Sequence, residues 1–83
     1  DTGFAVQRGA RAVETALQNQ ELSFAAPDQL FSQLGHLLHH AMGGSSGAIL
    51  GSFFHGLSAS LAHHPHDLSQ AISMGIQFVT DLG

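Results

Sequence analysis

The stretch PDQLFSQLGHLLHHAMGGSSG, residues 27–47, decides the fold. Leu30, Phe31, Leu34, Leu37, Leu38 and Met42 recur three and four residues apart, which gathers them on one side of an α-helix and would scatter them over both faces of a strand. Pro27 suits a first helical position, because the N–H it lacks would have been unpaired there. Gly43-Gly44 ends the helix, and Ser45 or Ser46 is expected to cap the next one. Two helices joined by so short a connection return antiparallel.

Outward from this hairpin the same periodicity continues. Downstream, Ile49, Leu50, Phe53, Leu57 and Leu61 are expected to form the apolar side of a third helix, broken at His63-His64-Pro65-His66. Asp67 can cap a fourth helix bearing Leu68, Ile72, Gly75, Ile76 and Val79 and ending near Gly83. Upstream, a first helix from about Phe4 to Gln18 carries a stripe of Val6, Ala10, Val13 and Leu17, with Arg8 on the opposite face, and residues 19–26 connect it to Pro27. No strand pattern competes. The expected fold is an all-α antiparallel helical bundle.

Composition narrows the function classes. Of 83 residues, 43% are apolar and only 10% charged, which excludes a disordered tail and fits a well-buried piece of something larger. A chain of this length buries only about 60% of the surface its unfolded form exposes, so its stability alone is marginal. The formal net charge is −4, and Arg8 and Arg11 are the only basic residues besides histidine. Neither a sequence-independent grip on nucleic acid nor membrane attachment by a basic face is expected. Cysteine is absent, which excludes disulfides and thiolate metal sites. With no membrane-length apolar run and no signal-peptide pattern, a cytoplasmic location is the expectation. The chain starts without methionine inside an Asp-Thr-Gly turn, which points to an excised or processed fragment.

Two turns carry the candidate chemistry. Gly43-Gly44-Ser45-Ser46-Gly47 is either a tight connection between helices or an anion cradle, in which the serine hydroxyls and the N–H groups of a helix start meet phosphate oxygens. It is not a P-loop, because GxxxxGK[ST] is missing and the chain has no lysine. Metal ions held by carboxylates would then have to offset phosphate charge, and Asp1 is the candidate ligand, its plainer role being to cap the first helix.

Seven histidines raise a metal-site reading, and His36 and His40 have the spacing of paired helical ligands. Their phase argues otherwise: His36, His39, His40 and His55 project away from the leucine-rich sides, and His63, His64 and His66 flank a proline in a loop. No G-x-S-x-G elbow supports a nucleophilic serine. Phe31, Phe53 and Phe54 read as core rather than as a base-stacking platform.

Asp1-Thr2-Gly3, Arg8-Gly9, Met42-Gly43-Gly44-Ser45-Ser46-Gly47 and Gly51-Ser52-Phe53-Phe54, in this order and spacing, make the chain resemble the nucleotide-binding domain of dihydroxyacetone (glycerone) kinases over essentially its whole length. The resemblance implies a barrel of roughly eight antiparallel helices, of which residues 1–83 supply about four, with ATP or ADP and Mg²⁺ bound at one end. Asp1 matches the last of several metal-binding aspartates, the others belonging to a segment upstream. Thr2, Gly3, Phe4 and Ala5 match the stretch that meets the nucleotide, although family members commonly carry asparagine at the position of Ala5. Gly44, Ser45 and Ser46 match the phosphate-binding loop, and Gly83 matches a glycine that opens a loop over the nucleotide.

Carried further, the resemblance makes the intact protein a kinase that phosphorylates dihydroxyacetone to dihydroxyacetone phosphate. No residue of this chain takes a catalytic role, and the fragment alone is expected to be inactive. The expected partners are a dihydroxyacetone-binding domain or subunit, a phosphotransferase-system phosphoryl donor if the bound nucleotide is a retained ADP, and further copies in a homo-oligomer. The alternatives are a non-catalytic helical module for assembly or regulation, and the related fatty-acid kinase domain.

Overall fold

The computed structural model describes residues 2–83, and in it helices adjacent in sequence are adjacent in space. α1 (Thr2–Gln18), α2 (Pro27–Met42), α3 (Gly44–His63) and α4 (Leu68–Asp81) follow one another, with no strand among the described residues. α1 packs on α2, α2 on α3 and α3 on α4, while α1 touches α3 only slightly and does not touch α4. The Cα atoms span 33 × 33 × 14 Å. A helix of 20 residues such as α3 is about 30 Å long, and packed helices lie about 8–10 Å apart. Four helices side by side therefore fill one long dimension and their own length fills the other. The all-α antiparallel bundle is laid out as a single row. Among the described residues no helix is long and apolar enough to cross a membrane.

Local chemistry explains where most elements start and stop. Pro27 opens α2 after Ala26, which is extended as a residue before proline must be. Asp67 caps α4, its carboxylate accepting the Gln70 N–H at 3.0 Å. α1 begins at Thr2, two residues earlier than its apolar pattern suggests, and α4 ends at Asp81.

The apolar stripes expected on the outer helices are buried only in part: Val13 packs against the core and Gly75 is buried, while the larger residues beside them are not. On α1 the buried residues are Ala5, Gly9 and Ala16, whereas Val6 is 54% exposed and Leu17 is also exposed. On α4 they are Ala71, at 0% exposure, and Gly75, whereas Leu68, Ile72 and Ile76 are exposed. α3 likewise leaves Ile49 and Leu50 outside while burying Leu57 and Leu61. The physical reason is close approach. A Cβ on Gly56 would lie 2.6 Å from the Met74 carbonyl oxygen and 2.7 Å from Gly75 Cα, so α3 and α4 meet backbone to backbone. A Cβ on Gly9 would lie 2.9 Å from Met42 Cγ, and Gly35 and Gly51 stand against each other's carbonyls across α2 and α3. Small residues set the closest approaches between neighbours in the row, and several large ones on the outer helices, Val6, Leu17, Leu68, Ile72 and Ile76, are turned to its faces.

Two clusters form the core. Ala5, Leu38 and Met42 tie α1 to α2, and Leu57, Leu61 and Ala71 tie α3 to α4. Phe54 packs against both. Its ring stacks on Phe31 at 5.9 Å and meets Phe53 edge-on at 5.6 Å, which accounts for these phenylalanines as core residues. Such aromatic pairs contribute about 0.5–1.5 kcal/mol beyond the area they bury.

Candidate functional site

Gly43 alone joins α2 to α3. Its φ of 67° and ψ of 177° lie in a region open essentially to glycine only, and Gly44 follows with φ at 56°. Nothing stands within 4 Å of the place a Cβ would occupy at either residue, so the turn, not crowding, demands glycine. Gly47 is the converse: a Cβ there would sit 2.7 Å from the His39 carbonyl oxygen, because the first turn of α3 is pressed against the last turn of α2.

This turn corrects the expected serine cap. The chain reverses within one residue, so α3 starts at Gly44 with Gly43 as its cap, and Ser45 and Ser46 become its second and third helical residues. The first backbone bond of the helix is Gly47 N–H to Gly43 O at 2.9 Å. The N–H groups of Gly44, Ser45 and Ser46 therefore lie in the first turn, which has no partners inside the helix and carries its partial positive charge. Ser45 is exposed and Ser46 half-buried beside them. An anion is the ligand such an array accepts.

Antiparallel packing brings most of the remaining candidate residues to this end of the row. α1 starts here, α2 ends here, α3 starts here, and Gly83 follows α4 here. Thr2 is the first residue of α1, and Gly3 and Phe4 are exposed in its first turn. Ala5 differs: its side chain is buried against Leu38 and Met42 and belongs to the core. Asp1, the expected metal ligand, lies outside the described residues.

One contact here was not expected from the sequence, although the residue that makes it belongs to the Arg8-Gly9 motif. Arg8, expected on the face of α1 away from its neighbours, reaches α2 instead. Its Nη2 donates to the Met42 carbonyl oxygen and its Nε to that of Ala41, at 3.1 Å in the latter case. The rotation of α1 that buries Ala5 and Gly9 also carries Arg8 to the edge of the interface. Its scarcity was the available clue, since Arg8 and Arg11 are the chain's only arginines and lysine is absent.

The other polar clusters lead elsewhere. The imidazoles of His36 and His40 meet edge-on with centroids 4.5 Å apart, and both residues are exposed, as is His39. His55 is half-buried against Gly35 of α2, not turned away from it as its phase suggests. Among the described residues no group of three or more histidine or acidic side chains is arranged to hold a metal ion. A cleft of about 450 Å³ lies away from the glycine turn, bounded by Ala16, Leu22, Leu37, Gln33, His36 and His55. Its walls offer a mostly apolar surface and none of the clustered N–H donors of the α3 start.

The glycine turn and the start of α1 thus lie at the same end of the row, where the first turn of α3 presents its N–H groups. No curated protein and no solved structure matches the chain, but the family model described as the DAK2 domain matches residues 1–83. With that match running over its whole length, on a fold of helices only, the chain belongs to the DAK2 domain family, a domain of kinases.

Proposed function

We propose that this chain is part of the nucleotide-binding domain of a kinase that phosphorylates dihydroxyacetone, and that ADP or ATP binds at the end of the row where α1 and α3 begin. The observation that carries the proposal is the first turn of α3: unpaired N–H groups of Gly44, Ser45 and Ser46, two serine hydroxyls, and open space above Gly43 and Gly44, in a chain of the DAK2 family. These donors fit phosphate oxygens and have no comparable affinity for a neutral ligand. Gly3 and Phe4 at the start of α1, and Gly83 after α4, flank the same end and are proposed to border the nucleotide.

The described residues fit the phosphates, whereas the magnesium part of the proposal rests on Asp1 with carboxylates from outside these 83 residues, as the family resemblance implies. Bound Mg²⁺ would neutralise charge on the transferring phosphoryl group. The residues of this chain bind and orient: helix N–H groups and hydroxyls hold the phosphates in one place, and phosphoryl transfer depends chiefly on such placement. Dihydroxyacetone is proposed to be held by a separate domain or subunit, the helical row being completed into a barrel by further helices.

Calorimetry of the complete protein with ADP, with and without Mg²⁺, tests the reading. Magnesium-dependent binding is expected. No binding at millimolar ADP would overturn it and favour a helical module for assembly. Turnover with ATP alone, against turnover only with a phosphoryl-donor protein, then distinguishes an exchanging nucleotide from a retained one.

A further inference from the structure

We propose that Arg8 is a positioning residue that locks the two halves of the nucleotide site, the start of α1 and the start of α3, at a fixed separation; the proposal rests on the nucleotide reading for what those halves bind. α1 scarcely touches α3, so its start can be held relative to the phosphate loop only through the end of α2. That end is where Arg8 acts. It sits six residues into α1 beyond Thr2, about 9 Å along the axis from the helix start, and donates to the carbonyls of Ala41 and Met42, the last two residues before Gly43.

The carbonyls concerned are ones the helix cannot satisfy. The last four C=O groups of a helix have no partner within it and form its negative end. In α2 the His39 carbonyl accepts the Gly43 N–H at 3.1 Å, and Arg8 takes those of Ala41 and Met42. A fork of fixed N–H directions on a permanent cation suits two successive carbonyls better than the compact, flexible ammonium of a lysine. The joint to α3 is Gly43, beyond which α3 packs back along α2 with Gly47 and Gly51 against His39 and Gly35, so α2 and α3 move as a pair. With Ala41 and Met42 clamped, the direction in which α3 leaves that joint is referred to α1. The guanidinium is thereby engaged by carbonyls and not offered to phosphate, and a chain without lysine leaves the phosphate charge to metal.

The test compares wild type, Arg8→Met and Arg8→Lys in the complete protein. It reads Mg-ADP affinity by calorimetry, and amide hydrogen exchange at residues 43–47, where the bonded amides of Gly43 and Gly47 report, against residues 57–61 at the far part of α3. Arg8→Met keeps most of the apolar stem and removes both donors. It is expected to weaken ADP binding measurably, because the start of α1 is then less firmly placed relative to the start of α3, and to speed exchange at 43–47 while leaving 57–61 unchanged. Arg8→Lys should recover part of both effects. Unchanged ADP affinity in Arg8→Met would overturn the proposal, as would exchange that rises uniformly along the chain. Lost affinity with unaltered exchange at 43–47 would make Arg8 a direct phosphate ligand and overturn it too. If wild type itself binds no ADP, the nucleotide reading fails, and faster exchange confined to 43–47 in Arg8→Met still separates an ordering role for Arg8 from none.

Discussion

Ser45 and Ser46 enter α3 as its second and third residues, and this changes what their hydroxyls are for. A serine at the cap position spends its oxygen on the helix's own N–H groups, whereas a glycine cap leaves both those N–H groups and the serine oxygens for a ligand. Replacing Ser45 and Ser46 together by alanine in the complete protein should therefore leave helicity nearly unchanged and weaken ADP affinity. One hydrogen bond to a charged group is worth about 1.5–3 kcal/mol, so a loss of tenfold or more is expected by calorimetry. Unaltered affinity would remove the two serines from the site. The legible part here was the identity of the loop, since Gly43-Gly44-Ser45-Ser46-Gly47 is conspicuous in any register. Its cap assignment was not legible, because whether a helix starts at residue 44 or 46 depends on how sharply the backbone turns at Gly43.

Between elements, glycine sets the spacing. Inside an exposed helix, Gly→Ala stabilises by roughly 0.5–1 kcal/mol through backbone entropy. At Gly56 a Cβ would stand 2.6 Å from the Met74 carbonyl oxygen, and backbone cannot move aside as a side-chain end can. Forced separation of packed helices costs about 1–3 kcal/mol, which exceeds the propensity gain, so Gly56→Ala should lower the thermal midpoint of the complete protein. A raised midpoint would mean that α3 and α4 do not cross at these glycines. The same close crossings explain why helix existence was readable and helix phase was not. Pattern reading assigns the largest apolar residues to the interior, which predicts Val6 and Leu17 on α1 and Leu68, Ile72 and Ile76 on α4. The contacts between neighbouring helices are made by Ala5, Gly9 and Ala71, which lie off the expected stripes, together with Val13 and Gly75, which lie on them.

Across the whole molecule, a single row of helices has two faces and no enclosed centre. Phe4, Val6, Leu17, Phe24, Leu68, Ile72, Ile76 and Leu82 remain more than two-fifths exposed on these faces. Produced by itself, the 83-residue chain should bind a hydrophobic dye and associate with rising concentration, as followed by fluorescence and sedimentation. A monomer without dye binding would show that the helices close into a different arrangement in solution. The sequence by itself determined the helices, their order, the glycine turn and the family, because these depend on residue type and short-range spacing. Only the tertiary structure decided which side of each outer helix is buried, that Arg8 reaches the end of α2, and that Gly43 rather than a serine begins α3. Those outcomes follow from how closely two backbones can approach and from how one residue turns the chain. Neither distance nor torsion is written in the periodicity of apolar side chains.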